Sequence, residues 1–386
     1  MAKLQAQYVV SNNEMLSNRI PADTLSNISL FYANLKSDPA LMNEFLTDMI
    51  DKVALQSVIR QSFNNPLAVL KSGTKPLGRF VELIHSNPVK AEAYDPNATS
   101  LLTVRKPDVA TEYFQINRQD KYPITLNEPQ IKQAFSSWEA LQDLMNEIVN
   151  GLYTGSYIDE WTLMKQLFQN YLADGKLITV ENNFTDNAAG AKGLFKGLKT
   201  YSKAIASPST TFNAYSIGNE TNPRVTWADP KDQVILVRDD VLIEMDIEYL
   251  AGVFNLSKVE PDKQIISIPN FGFMGNTYEN SPIQAIICDR AFIKVYDDLA
   301  ELRNFDNPET LNLTYFYHVW QTMGLSNFAS HVAIIDPIEY VKTTDTDIVA
   351  GKVYYTRTGT DPNYVYTKVA DPKKANIDNY YEMKIK

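Results

Sequence analysis

Few side chains in this sequence carry the reactivity that covalent or metal chemistry needs. There is one cysteine, Cys288, and there are three histidines, His85, His318 and His331. A lone cysteine makes no internal disulfide, and the chain holds no C-x-x-C, no H-E-x-x-H and no Cys/His cluster spaced for zinc. Cys288 ends the apolar run Ile283-Gln284-Ala285-Ile286-Ile287 and reads as a small buried thiol, not a nucleophile. His318, within Tyr315-Phe316-Tyr317-His318-Val319-Trp320, reads as packed or at a subunit contact. His85 and His331 read as ordinary surface or half-buried imidazoles with no triad partner in sequence. The hydrolase elbow, the phosphate loop and the dinucleotide fingerprint are all missing, and Gly190, Gly193 and Gly197 have the wrong spacing for any of them. No catalytic residue, cofactor or metal is expected.

Charged side chains leave more open. Asp239, Asp240, Glu244, Asp246 and Glu248 form the densest acidic cluster. A glycosidase pair or a calcium site would draw on such residues, but the spacing is not that of an EF-hand loop, so a solvated or docking face is the reading. Over 191–205 the lysines Lys192, Lys196, Lys199 and Lys203 alternate with Leu194, Leu198, Tyr201 and Ile205. This is an exposed amphipathic helix with a basic stripe; weak phosphate contact or pairing with an acidic patch on another copy are its alternative uses.

The whole chain constrains these readings. Of 386 residues, 44% are apolar and 21% charged, enough for a large core and too water-compatible for a membrane protein. Against 46 Asp and Glu stand 36 Lys and Arg, a net charge of −10 that argues against a dedicated nucleic-acid binder. Twenty-two Tyr, 17 Phe and 19 Pro against 15 Gly suggest a mixed fold with much extended chain. The first residues, Met1-Ala2-Lys3-Leu4-Gln5-Ala6, lack a basic region followed by an apolar run, so synthesis and folding in a cytoplasm are expected.

Five segments emerge. Residues 1–75 read as a helical arm, with Leu41, Phe45, Met49, Val53, Ile59 and Phe63 at roughly helical steps and Asp38-Pro39 as a start signal. Residues 76–130 are prolyl, mixed in charge and extended, a long excursion that a compact domain rarely makes unless it reaches a partner. Segment 131–190 holds a long amphipathic helix, bent or in tandem pieces, with capping-box spacing at Ser136-Ser137-Trp138-Glu139 and a stop at Gly175. Lys176-Leu177-Ile178-Thr179-Val180 then reads as a central strand. Strands and helices alternate through 191–337, with strands at 233–237, 265–268, 283–287 and 292–296 and a helix from Asp239 to Phe254. Residues 338–386 close with a Tyr-rich β module carrying Tyr354-Tyr355, Tyr364, Tyr366 and Tyr380-Tyr381. The fold class is α+β.

This order of segments resembles major capsid proteins of tailed bacteriophages, the Hong Kong 97-like fold, in the branch found in small podoviruses. The residues that carry the resemblance are Val234 to Val237, Asp246-Ile247-Glu248-Tyr249-Leu250-Ala251-Gly252-Val253-Phe254-Asn255, Ile283 to Asp289, Asn312 to Trp320 and Ser326-Asn327-Phe328-Ala329. It implies that the excursion is a loop lying over a neighbouring subunit, with Arg105, Phe114, Arg118 and Lys121 as candidate contact residues. It further implies a spine helix from Ser137 to about Asp174 and an axial domain over 191–337 that meets its copies around five- and six-fold axes. The implied partners are the chain itself in hexamers and pentamers, a scaffold, a portal and packaged double-stranded DNA held weakly; the implied location is the virion. A virion or cell-surface protein recognising glycan or a receptor through its aromatic end is the competing reading, and a two-carboxylate hydrolase a third.

Overall fold

Ser137 starts the element around which the chain is organised. Its hydroxyl accepts a hydrogen bond from the Ala140 backbone N–H at 3.1 Å and opens helix α6, Trp138–Ala173, which runs unbroken for 36 residues past Gly151 and Gly155. The cap is Ser137, one residue beyond the Ser136 that the capping-box spacing suggests. Gly175 ends the helix with φ +67°, a conformation that only glycine adopts cheaply, while Lys176 N–H reaches back to the Tyr171 carbonyl. The computed structural model describes residues 2–20, 22–57, 63–75, 80–94, 96, 104–182, 188–217, 219, 221–244, 264–272, 281–307, 309, 312–349, 352–360 and 363–385. The expected stretch Asp246–Asn255 lies outside these residues.

The first half of α6 is covered by the N-terminal helices α1 (Ala2–Asn12), α2 (Glu14–Arg19), α3 (Ile28–Lys36) and α4 (Pro39–Ser57). Asn13 and Asn27 cap α2 and α3 through their side-chain oxygens, and Asp38 accepts from Ala40 N–H ahead of Pro39. Phe31, Phe45, Leu46 and Met49 bury against Phe135, Leu141, Met145 and Ile148, with the Phe31 and Phe45 rings edge to face at 5.0 Å. Under the same half lies a sheet with strand order β1-β9-β10-β4, formed by β1 (Gly73–Thr74), β4 (Arg118–Asn127), β9 (Ile293–Asn307) and β10 (Asn312–Leu325).

The second half of α6 packs on a five-stranded sheet ordered β5-β11-β8-β6-β7, from β5 (Thr179–Glu181), β6 (Gln233–Arg238), β7 (Gln264–Ile268), β8 (Ile283–Asp289) and β11 (His331–Ile335). Both faces are covered, so residues 234–237 of β6, 285–288 of β8 and 332–335 of β11 are apolar at consecutive positions. Val234, Leu236, Ile286 and Cys288 point to Met164 and Phe168 of α6, whereas Ile235, Val237, Ala285 and Ile287 point to Leu194 and Leu198 of α7 (Ala188–Ile205). Helix α9 (Asp239–Glu244) follows β6 directly.

Three expectations need correction. The run 176–180 is not a central strand: its first residues serve to end α6, and only Thr179–Glu181 pair, at the sheet edge beside β11. The strand at 292–296 is the start of a 15-residue strand whose hairpin with β10 leaves the five-stranded sheet and pairs with β4, so 191–337 supplies strands to both sheets. Residues 118–127 therefore belong to a sheet and not to the extended excursion. The remaining excursion is a hairpin of β2 (Val81–Ser86) and β3 (Val109–Phe114). A last sheet ordered β12-β15-β13-β14 combines β12 (Ile338–Lys342), β13 (Tyr355–Thr360), β14 (Asn363–Lys368) and β15 (Tyr380–Ile385).

Candidate assembly surface

The β2–β3 hairpin separates its side chains onto two faces, as strand periodicity requires. Val81, Leu83, His85, Glu112 and Phe114 turn toward the body, and Glu82, Ile84, Val109, Thr111 and Tyr113 turn away. The inward face is fastened at its root. Phe114 packs onto Gly324 of β10, and the Asn117 side chain brackets Met323, donating to its carbonyl at 2.7 Å and accepting from its N–H at 2.8 Å. The Glu112 carboxylate accepts from the Ser326 hydroxyl and from the backbone and side chain of Asn327. Burial raises the Glu112 carboxyl above the usual range, and these donors oppose the rise.

A second fastening holds the hairpin where β2 and β3 end. Asn87 donates to Asp108 at 2.7 Å and to the Pro223 carbonyl at 3.1 Å, and accepts from Val225 N–H at 2.9 Å. The buried Arg224 guanidinium contacts the Asp108 carboxylate and donates to its carbonyl, both at 2.9 Å, and lies over the Tyr215 ring. Asn222 also donates to Asp108, and bonds from Asn222 and Asn87, then Arg224, hold that carboxyl below the ordinary range. A groove of about 300 Å³ opens between hairpin and body, walled by Leu83, His85, Trp227, Asp289, Lys294 and Phe328.

The outward face and the described part of the distal segment expose large apolar side chains among charged ones. Ile84 is 65% exposed and Tyr113 61%; beyond the clamp Val89 reaches 95%, Tyr94 91% and Val104 81%. Side chains this apolar, this exposed and this concentrated on one projection mark a surface built to meet another protein.

The sequence candidates divide accordingly. Arg105 is exposed on the distal segment, where it pairs with Glu92, and Lys121 is exposed on β4 opposite His318. Phe114 and Arg118 are buried within their own chain, which removes both from the contact set. Arg118 is sealed beneath α6: it donates to Asp120, Gln321, the Tyr122 hydroxyl and the Ser156 carbonyl. Burial and the bond from its hydroxyl to Asp159 push Tyr122 up to about 12, so that phenol stays neutral. Ile84, Val89, Tyr94, Val109 and Tyr113 were not singled out by sequence reasoning, although the alternation of Val81 to Ser86 contains the signal.

Groups with reactive potential are absorbed by packing. Cys288 is fully buried and its thiol is driven well above its usual range by desolvation. His331 corrects the surface or half-buried expectation: it is wholly buried, stacked at 4.3 Å on Phe292, with its ring nitrogens against the Ala329 and Lys176 carbonyls. Arg238 pairs with Asp240 and Asp336, drawing part of the acidic cluster into the fold. Lys196, Lys199 and Lys203 are exposed along α7; Lys192 lies on the same helix, its side chain outside the described set. Among the described residues no three potential ligands gather as a metal site, and no helix is long and apolar enough to cross a membrane.

Comparison with known proteins places the chain as a whole. The family model for Phi29-like phage major capsid proteins matches residues 8–335. The chain belongs to this family. Relatives include the major capsid proteins of Bacillus phage PZA, 27% identical over 84% of this chain and 70% of that protein, and of Bacillus phage B103, 27% identical over 93% and 78%. Among solved structures the fold is similar to a chain in the head fiber and inner core protein gp22 structure of native bacteriophage P68 (TM-score 0.56, 15% identity, 71% of this chain and 85% of that one). It is also similar to a chain in the capsid structure of Staphylococcus phage Andhra (TM-score 0.55, 15% identity, 71% and 85%). As a Phi29-like major capsid protein with the Hong Kong 97-like fold, the chain associates with itself to form the virion shell. Members of this family are structural proteins.

Proposed function

We propose that the shell is closed by arm-over-neighbour contacts, in which the outward face of residues 80–114 lies on an adjacent copy within rings of six and five. The observation that supports this is the division of the hairpin: its inner face is bonded to its own chain at two levels, while Ile84, Val89, Tyr94, Val104 and Tyr113 are left uncovered. A heterologous contact of this kind propagates around a symmetry axis without needing a self-complementary patch. Residues 137–174 serve as the spine, and the unit carrying β6, β8, β11 and α7 faces the axes. A scaffold and a portal complete assembly. Lys196, Lys199 and Lys203 supply only weak phosphate contact, in keeping with a net charge of −10 and a wall from which DNA must move freely.

Replacing residues 88–107 by a short turn retains both fastenings and removes the distal surface. The variant is expected to remain soluble with an unchanged circular dichroism spectrum and to form no shells in negative-stain microscopy. Shells in wild-type yield would overturn the arm assignment. A triple change, Val89→Ser, Tyr94→Ser and Val104→Ser, tests the same contact without a deletion.

A further inference from the structure

The family match ends at residue 335, and the chain continues into the β12-β15-β13-β14 sheet. A unit of about 48 residues is too small to support much core of its own. On one side it buries only a modest cluster, Tyr354, Ile377 and Tyr380. Its other side is an aromatic face turned to the body. Tyr340 and Tyr366 stack at 4.1 Å with ring planes 8° apart, Tyr355 meets Tyr340 edge on at 5.0 Å, and Tyr381 meets Tyr366 edge on at 5.4 Å. Tyr355 and Met383 are buried in the core that contains Phe168, Tyr171 and Leu172 of α6 and Leu236, Ile268 and Ile335 of the five-stranded sheet. At the end of α6 the Lys368 ammonium donates to the Asp174 carboxylate at 2.6 Å, setting a cation beside the negative pole of the helix.

From these contacts we infer that residues 338–385 are an internal clamp, fastening the C-terminal half of α6 to the five-stranded sheet and hardening the shell from within the same chain. Tyr340, Tyr355, Tyr366 and Tyr381 are consumed in this joint, and the module is a fixed part of the subunit. The inference is independent of the arm contact, because the clamp touches neither β2 nor β3 among the described contacts.

The test compares wild-type particles with a full-length Tyr366→Ser, Lys368→Ala double variant and with a chain ending after Pro337. Hydrogen exchange read by mass spectrometry should accelerate about tenfold in residues 161–173 and remain unchanged in 141–152. Particle melting should fall by about 5 °C, with shells still forming. If the shortened chain fails to fold, the double variant decides. Equal exchange in 161–173 and equal melting would overturn the clamp, whereas loss of shells with wild-type exchange in 161–173 would show the module to be an assembly contact instead.

Discussion

The Phe114 ring rests on the bare α-carbon of Gly324: a β-carbon there would come within 2.6 Å of two ring atoms. Gly324→Ala must expel the ring or shift β10, a packing conflict of about 1–3 kcal/mol. We expect a lower denaturation midpoint and fewer shells, with Phe114→Leu restoring part of both in the double variant. An unchanged midpoint would show that the arm root yields freely.

The Asp108–Arg224 clamp has a defined acid limit. Because the folded carboxyl lies below its unfolded value, its contribution is fully present above about pH 4 and is lost as pH falls through the lower folded value. Exchange protection in 81–86 and 109–114 should be the same at pH 7 and pH 5. Asp108→Asn should weaken it at both; early loss between pH 7 and 5 would contradict the assignment.

Glu160 is buried in α6, where it takes bonds from Asn65 at 2.7 Å, Gln321 at 2.6 Å and Lys71 at 3.0 Å. Glu160→Ala removes the acceptor that all three share, leaving Gln321 and Lys71 on Asp297 alone and Asn65 on the Met164 sulfur, and should cost about 1–3 kcal/mol. Urea titration of the soluble subunit measures it, and Glu160→Gln, which restores one acceptor, should fall between.

His331 contributes a stability slope at mildly acidic pH. Burial pushes its folded value down to about 4 from 6.5, so the unfolded chain binds the proton first. Its contribution is complete above pH 6.5 and declines toward pH 4, by about 3 kcal/mol over that window. His331→Gln should flatten that part of the curve.

The pieces legible in sequence were those with strong local rules. The 36-residue helix is announced by its cap, stripe and terminal glycine, and the basic stripe of α7 by its period. What was not legible depended on pairing over distance. Nothing local to Arg118 says that Gln321, two hundred residues away, will bury it. Phe114 likewise reads as an extended-loop aromatic until Gly324 is brought beneath it. The edge position of β5 follows from β11 inserting beside it, a choice made 150 residues later.

Gln321 and Gly324 lie three residues apart on β10, one tied to Arg118 and Glu160, the other seating Phe114. A curved container made from one kind of brick asks each copy to sit at slightly different tilts to its neighbours. Spine, arm root and long hairpin are thus pinned to a single fulcrum, whereas beyond Asn87 and Asp108 the described charges Lys90, Glu92, Arg105 and Lys106 all stand in solvent.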